Sequence, residues 1–282
     1  MQDIVVIGGG TMGTAIAAVF LAAGDHVRVV EASSERAADV APTVAAILED
    51  GVRRGKRTSE EAGSAAGRLV VHNSLAGLDG APDLVIEAVP ERLELKRAVL
   101  ADAARLQPTL LASNTSGLSI DTLASSLESP EAFVGLHFFN PVPAMGLVEV
   151  VLGQQTSHRA RAIALEAVAR IGKEPVVVRD SPGFATSRLG VLLGLEAIRM
   201  VQEGVADPVA IDRAMELGYR HPVGPLRLTD VVGLDVRLDI ATHLAATLGE
   251  RFEPPPLLRG MVGEGKLGRK SGQGFYAWPP AG

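Results

Sequence analysis

Three glycines near the start of the chain have the spacing of a phosphate-binding turn. Gly8, Gly10 and Gly13 follow a short apolar run and precede a segment of small and apolar residues. In a strand-to-helix turn, the first glycine allows the tight bend, the second lets the backbone approach a pyrophosphate, and the third allows close packing of helix against strand. The spacing therefore predicts a dinucleotide-binding loop made of Gly8, Gly10, Thr11, Met12 and Gly13.

An acidic residue stands where a loop of this kind needs one. Glu31 ends a second apolar run, Val27–Val30, and lies 18 residues beyond Gly13 (31 − 13 = 18). A carboxylate at this place accepts hydrogen bonds from the adenosine ribose hydroxyls and repels a 2′-phosphate. The cofactor predicted from these residues is NAD rather than NADP, and a solvated charge at a strand end is the simpler alternative for Glu31.

Apolar runs and helical periods alternate along the first part of the chain. A strand, a helix and a second strand within ~30 residues form one βαβ unit, and continued alternation predicts a doubly wound sheet. We expect strands at 4–7, 27–30, 69–71, 84–87, 110–113, 133–136, 147–151 and 175–178, and helices at 11–23, 34–54, 92–104 and 157–171. The predicted fold class is α/β, with a Rossmann-type sheet.

The strand pattern stops at Gly183. Only helical periods follow, at 184–203, 209–217 and 226–248, and the last is broken around Gly233. Asp207 and Pro208 have the residue types of a helix N-cap and first helical position. We therefore divide the chain into an α/β domain, 1–183, and an all-helical domain, 184–282, whose end after the prolines at 254–256 is expected to be irregular.

The composition excludes several classes of protein. With 27 Lys and Arg against 33 Asp and Glu, the 282-residue chain carries a net charge of −6 and lacks the basic surface that nucleic-acid binding needs. The absence of cysteine excludes disulfides, a thiolate nucleophile and a cysteine-ligated metal, and we expect no metal site. The first residues lack the basic region of a signal peptide, and no apolar run approaches the ~20 residues that span a bilayer. We therefore expect a cytoplasmic protein without nucleic-acid or membrane partners.

Five further motifs carry a resemblance to a known family. They are ASNTSGLSI at 112–120, GLHFFNPVPAMGLVEVV at 135–151, DSPGFATSRL at 180–189, PVGPLRLTDVVGLD at 222–235 and GRKSGQGFY at 268–276. With the glycine loop, they resemble the L-3-hydroxyacyl-CoA dehydrogenase family over nearly the whole chain. The resemblance implies NAD-dependent oxidation of a hydroxyacyl thioester, a Rossmann domain followed by a helical domain that forms a homodimer, and an active site in the cleft between the domains.

The resemblance assigns the proton-transfer chemistry to two residues. His137 matches the family's general acid/base, and Glu149 matches the carboxylate paired with it. Hydride can leave the alcohol carbon only as the hydroxyl proton is removed, and a neutral imidazole suits that transfer near neutral pH. A carboxylate on the other ring nitrogen fixes the tautomer and stabilises the imidazolium that forms. Without the motifs, a core histidine and a charge at a sheet edge are the simpler interpretations.

Other residues match family positions that contact substrate or cofactor. Ser116 corresponds to the serine that binds the reacting oxygen near the nicotinamide, so it is a candidate for catalysis and for binding both the substrate and the cofactor. Arg54, with basic neighbours at 53, 56 and 57, corresponds to the place where the family binds the phosphates of coenzyme A. The remaining matches are cofactor contacts at Glu91, Lys96, Asn140 and Lys270.

Three positions depart from the family pattern. Ser187 stands where the family has an asparagine that faces the substrate, and Gly117 and Gly146 replace a common serine and a common lysine. A serine hydroxyl offers one donor on a shorter stem than an amide, so a contact to the substrate carbonyl is lost or bridged by water. Catalysis is still expected. Ser187 is a candidate substrate-binding residue, and its difference from the family asparagine means that the sequence does not decide whether the substrate is the family's usual one.

Four interpretations of the function therefore remain. We favour a dehydrogenase of 3-hydroxyacyl-CoA. The next acts on a small hydroxyacyl (glyceryl) group on an acyl carrier protein, in the biosynthesis of hydroxymalonyl or methoxymalonyl polyketide extender units, because Ser187 suits a hydroxylated substrate and the basic cluster at Arg54 suits coenzyme A or an acidic carrier protein. The others are a non-catalytic, crystallin-like NAD-binding protein and an enzyme for free hydroxy acids or carnitine-like alcohols.

Overall fold

The chain folds into two compact units. The computed structural model describes residues 1–279, so residues 280–282, which the sequence assigns to the second domain, lie outside the described residues. Contacts divide the chain into Met1–Asp180 and a second unit that begins at Ser181. This division lies close to the boundary proposed after residue 183.

The first unit is built on one mostly parallel sheet, as the alternation of strands and helices predicts. Within residues 1–279 the sheet has eight strands in the order β3-β2-β1-β4-β5-β6-β7-β8. Every pair is parallel except β6 and β7, which are antiparallel. The strands are β1 (Asp3–Ile7), β2 (His26–Val30), β3 (Leu69–His72), β4 (Leu84–Glu87), β5 (Leu110–Ser113), β6 (Phe133–Phe138), β7 (Leu147–Leu152) and β8 (Glu174–Arg179).

Helices cover this sheet, and two short ones were not predicted from the sequence. The helices are α1 (Thr11–Ala22), α2 (Ser34–Arg53), α3 (Ser59–Ala66), α4 (Leu93–Ala104), α5 (Ile120–Ala124) and α6 (His158–Arg170). The missed helices, α3 and α5, are too short to show a clear helical period. A capping box between Thr58 and Glu61 does mark the start of α3, and it is the signal that could have found that helix.

The second unit is helical, as predicted. Its helices are α7 (Thr186–Gln202), α8 (Pro208–Gly218), α9 (Pro225–Val232), α10 (Leu234–Leu248) and α11 (Pro256–Gly263). The cap prediction is confirmed, because the Asp207 side chain accepts a hydrogen bond from the Ala210 amide and Pro208 is the first residue of α8. The prediction of an irregular end is wrong for α11, because Pro256 occupies the first helical position, where its missing N–H costs nothing.

The parallel strands determine where the functional side chains lie. The strands β1, β2, β4 and β5 run in the same direction, so their carboxyl ends meet at one edge of the sheet. The glycine loop, Glu31, Glu87 and Ser113 all lie at or just beyond these ends. Ligands of open α/β sheets bind at this edge. Among residues 1–279, no helix is both long and apolar enough to cross a membrane.

Candidate active site

The glycine loop joins β1 to α1 in a form that only glycine allows at two positions. Gly8 has a φ of +108°, and a Cβ there would lie 2.8 Å from the Ala88 carbonyl oxygen. A Cβ on Gly13 would lie 1.8 Å from the carbonyl oxygen of Gly8, so a side chain would separate α1 from β1. A Cβ on Gly10 would meet nothing within 4 Å, so this backbone faces open space. The loop thus presents the amino end of α1 to a ligand, where free amides favour an anion.

Glu31 lies beside this loop and is held as a charged carboxylate. One carboxylate oxygen accepts the Gly9 amide at 2.9 Å, and the other accepts the Ser33 amide at 3.0 Å and the Arg36 guanidinium at 2.8 Å. Burial raises the pKa of Glu31, but these hydrogen bonds and the Arg36 charge outweigh burial and lower the pKa overall. The site therefore offers backbone amides that can bind a pyrophosphate and a carboxylate that can accept ribose hydroxyls. These are the donors and the acceptor that binding of NAD requires.

A cavity of about 1040 Å³ in the first unit extends from the glycine loop. It brings together four of the residues predicted to bind cofactor or substrate, namely Gly10, Thr11, Arg54 and Asn140. Its basic side chains belong to Arg36, Arg54, Lys56, Arg57, Arg170 and Lys173. A volume of this order exceeds what a drug-sized ligand needs, so the cavity has room for an elongated anionic molecule.

His137 and Glu149 form a direct pair on two neighbouring strands, β6 and β7. The two residues are opposite each other in the antiparallel pairing of β6 with β7. The imidazole Nδ1 lies 2.8 Å from Glu149 Oε2, and the carboxylate is fully buried. The Phe139 ring packs against the imidazole, with 4.4 Å between ring centroids. Since Nδ1 is bonded to a buried carboxylate, the ring orientation is fixed.

Glu91 organises the turn that carries Ser116. Its Oε1 accepts hydrogen bonds from the Thr115 hydroxyl at 2.6 Å, the Ser116 amide at 2.9 Å and the Gly117 amide at 3.1 Å. Burial raises the pKa of Glu91, but the charge of Lys96 and the bonds from Thr115 and Ser116 outweigh it, so the pKa is lowered. The Ser116 side chain is exposed, so its hydroxyl is accessible to a ligand.

A buried ion pair beneath this turn was missed by the sequence reasoning. Lys96 Nζ lies 2.7 Å from Glu87 Oε1 and 3.3 Å from Glu91, and it also donates to the Val89 carbonyl at 3.1 Å. The other Glu87 oxygen accepts the Ser113 hydroxyl at 2.6 Å. Lys96 is only 1% exposed, so its ammonium group contacts Glu91 from the protein interior and does not face solvent. Glu87 ends the otherwise apolar strand β4, and this acidic residue was the signal that could have indicated a buried ion pair.

Lys96→Met should destabilise the fold strongly. The substitution keeps an unbranched chain but leaves the fully buried carboxyl group of Glu87 without its cation. Removing one partner of a buried pair costs about 3 kcal/mol or more, and urea unfolding measures the loss. The double variant Lys96→Met/Glu87→Gln, which removes both charges, should recover much of it. A single variant as stable as the parent protein would show that the pair contributes little.

Two predicted residues belong to the second unit. Lys270 forms an ion pair with Asp235 at the start of α10. Ser187 lies half-buried in the first turn of α7. The contacts of Lys270 with the cofactor and of Ser187 with the substrate stay predictions.

Comparison with known proteins gives a consistent result over the whole chain. The model of the 3-hydroxyacyl-CoA dehydrogenase NAD-binding domain matches residues 3–181, and that of the 3-hydroxyacyl-CoA dehydrogenase C-terminal domain matches residues 183–278. A 3-hydroxybutyryl-CoA dehydrogenase of Mycobacterium tuberculosis is 40% identical over 99% of this chain and 99% of its own length. The mitochondrial hydroxyacyl-coenzyme A dehydrogenase of Sus scrofa is 35% identical over 99% of this chain and 91% of its own.

A solved structure agrees with these matches. The (S)-3-hydroxybutyryl-CoA dehydrogenase of Ralstonia eutropha superposes with a TM-score of 0.94 at 37% identity, covering 99% of each chain. The similarity therefore extends over the residues of both units.

Proposed function

Because the chain belongs to the 3-hydroxyacyl-CoA dehydrogenase family, we propose that His137 and Glu149 transfer the proton in its NAD-dependent oxidation of a 3-hydroxyacyl-CoA. The observation that carries this proposal is the 2.8 Å bond between His137 Nδ1 and a fully buried Glu149. The reaction converts the 3-hydroxyacyl thioester to the 3-oxoacyl thioester, with hydride going to the cofactor and the hydroxyl proton to the protein.

NAD is the cofactor, and the residues of the first unit fit it. The amides of the loop at Gly10, Thr11 and Met12 would hold the pyrophosphate, and Glu31 would accept the adenosine ribose hydroxyls. When bound, NAD accepts the hydride at its nicotinamide ring. Glu91 would contact the ribose on the nicotinamide side, and Asn140 and Lys270 would be further contacts. Lys96, being buried, would act by positioning Glu91.

His137 would act as the general base through Nε2. Its Nδ1 is committed to Glu149, so the proton of the substrate hydroxyl moves to the other ring nitrogen. Glu149 stabilises the imidazolium that forms without taking the proton itself. The Ser116 hydroxyl, which donates to Glu91 Oε1 at 3.3 Å, would rotate to donate its hydrogen bond to the reacting oxygen. In the reverse direction the imidazolium returns the proton to the reduced substrate.

The substrate would be held by charge at one end and by a hydroxyl at the other. Arg54, Lys56 and Arg57 line the cavity of the first unit, where they would bind the phosphates of coenzyme A. Arg54 is also bonded to Asp50 at 2.6 Å, which directs its guanidinium along α2. Ser187 would contact the thioester carbonyl, directly or through water.

The direct test is NADH oxidation with acetoacetyl-CoA. We expect turnover on this thioester, followed as the loss of NADH absorbance. A parallel reaction would offer 3-hydroxybutyryl or glyceryl groups on an acyl carrier protein, with NAD. Activity on the carrier-bound substrate alone would overturn coenzyme A as the carrier, and no turnover on either would overturn the proposed activity.

We further propose a cytoplasmic homodimer formed through the second unit. Leu189, Val209 and Leu217 are each more than 60% exposed, and burying one such side chain contributes about 1.5–3 kcal/mol. Light scattering should give a mass near twice the 29.4 kDa of one chain. A mass near that of a single chain would contradict the dimer.

A further inference from the structure

We propose that Arg237 binds a carboxylate at the far end of the substrate's acyl chain, so that the enzyme favours acyl thioesters that end in a second acid group. The inference rests on the proposed function, and in particular on the predicted contact of Ser187 with the thioester carbonyl. It concerns a residue of α10 that the proton-transfer chemistry does not use. The reaction itself is unchanged, because the carboxylate only selects the substrate.

Arg237 is a buried cation without a counter-ion among residues 1–279. It is only 5% exposed, and within those residues its Nε is fully enclosed and has no hydrogen-bond partner. Burial lowers the pKa of Arg237 to about 10, so the guanidinium still carries its charge at neutral pH. A buried charge is strongly unfavourable unless an anion pairs with it. Since the described chain supplies no such anion, we expect it from a ligand.

Two glycines of α7 make room for this guanidinium. A Cβ on Gly194 would lie 3.6 Å from Arg237 Nε and 3.1 Å from the Thr229 hydroxyl oxygen, and a Cβ on Gly190 would lie 3.7 Å from Arg237 Nη1. A large side chain at either position would therefore enter the space of the guanidinium. Glycine is unfavourable inside a helix, and room for the cation is a physical reason for its occurrence at both positions.

The guanidinium lies on the same side of α7 as Ser187. Positions 187, 190 and 194 have the spacing i, i+3 and i+7, which is one face of an α-helix. Gly190 lies ~4.5 Å beyond Ser187 along the helix axis, at 1.5 Å per residue. Because Nε is enclosed, a ligand would meet the Nη atoms, and Nη1 lies beside Gly190. A thioester whose carbonyl contacts Ser187 would therefore bring a group a few carbons along its acyl chain to Arg237.

A carboxylate is the ligand that a guanidinium in this place favours. The planar group presents its N–H donors in a fork that matches the two oxygens of a carboxylate. An acyl chain that ends in a methyl group would leave these donors unpaired. Sites with buried polar groups discriminate strongly against a ligand that lacks the matching group. Arg237 should therefore favour the carboxylate over an uncharged chain of the same length.

Activity with matched thioesters tests the proposal. Three 3-oxoacyl-CoA substrates are compared with NADH: acetoacetyl-CoA, a six-carbon chain that ends in a methyl group, and a six-carbon chain that ends in a carboxylate. At six carbons, the parent protein should have a higher kcat/KM for the carboxylate than for the methyl group. Arg237→Met should lower this ratio of kcat/KM values at least about tenfold, the effect of losing one charge-assisted hydrogen bond.

Two further variants separate the charge from its surroundings. Arg237→Lys keeps the charge but not the fork of donors, so it should lower the ratio less than Arg237→Met does. Arg213→Met is the matched control, because Arg213 is an exposed arginine of the same unit, on α8, and its loss should leave the ratio unchanged.

Stability gives a second readout. Because Arg237 has no partner to lose within residues 1–279, Arg237→Met should unfold at the same urea concentration as the parent protein or at a higher one. A clear loss of stability, or an unchanged ratio while acetoacetyl-CoA is still turned over, would overturn the inference and leave the proposed function standing. An unchanged ratio with a fall from dimer to single-chain mass in light scattering would also overturn it, since the anion would then belong to a second copy. Failure of all three thioesters to react would overturn both the inference and the proposed function.

Discussion

Replacing His137 by alanine is expected to lower kcat by about 10⁴-fold, the upper range for loss of a general acid/base. The physical reason is that no other group would receive the hydroxyl proton as hydride leaves the substrate carbon. The loss corresponds to about 5.4 kcal/mol of transition-state stabilisation. Stopped-flow or steady-state NADH absorbance with acetoacetyl-CoA measures it.

Binding must be measured beside activity to make this result decisive. NADH affinity, followed by fluorescence, should stay within about threefold of the parent value, because Gly10 and Glu31 form the cofactor site independently of the imidazole. His158→Ala is the matched control, since His158 is exposed at the start of α6 and should leave kcat unchanged. A His137→Ala variant within about tenfold of the parent kcat would exclude His137 as the proton-transfer group.

Replacing Glu149 by glutamine is expected to lower kcat by about 10³-fold, a loss of about 4 kcal/mol. Glutamine keeps the shape of the side chain but removes the charge that stabilises the imidazolium. Its amide can also donate to Nδ1, which places the ring proton on Nε2 and prevents Nε2 from acting as a base. The loss should therefore appear in kcat for oxidation, with NADH binding retained.

Two further variants distinguish charge from packing at this position. Glu149→Asp keeps the carboxylate and should lose less activity than the glutamine variant. Glu174→Gln removes a carboxylate from β8, in the same sheet but exposed, and should have no effect. Equal losses of kcat for aspartate and glutamine at position 149 would mean that Glu149 acts through the size and shape of its side chain rather than through its charge.

The sequence by itself determined the class of fold, the cofactor and the family. The spacing of Gly8, Gly10 and Gly13 after an apolar strand is local information, because the turn that it forms involves only neighbouring residues. Helix caps such as Asp207 are equally local, and that prediction is confirmed. The motif order then identified a family that matches residues 3–181 and 183–278.

Only the tertiary structure decided which side chains meet across the sheet. Local periodicity predicts that a strand forms, but it does not predict which strand pairs with it, in which direction or in which register. A register shift of one residue moves every side chain of the strand to the other face of the sheet. The family resemblance had paired Glu149 with His137, and the antiparallel register of β6 and β7 is the physical reason that the two side chains meet. Buried groups such as Glu87 and Lys96 were the hardest to foresee, because a charge is stable in a core only when a distant residue supplies its partner.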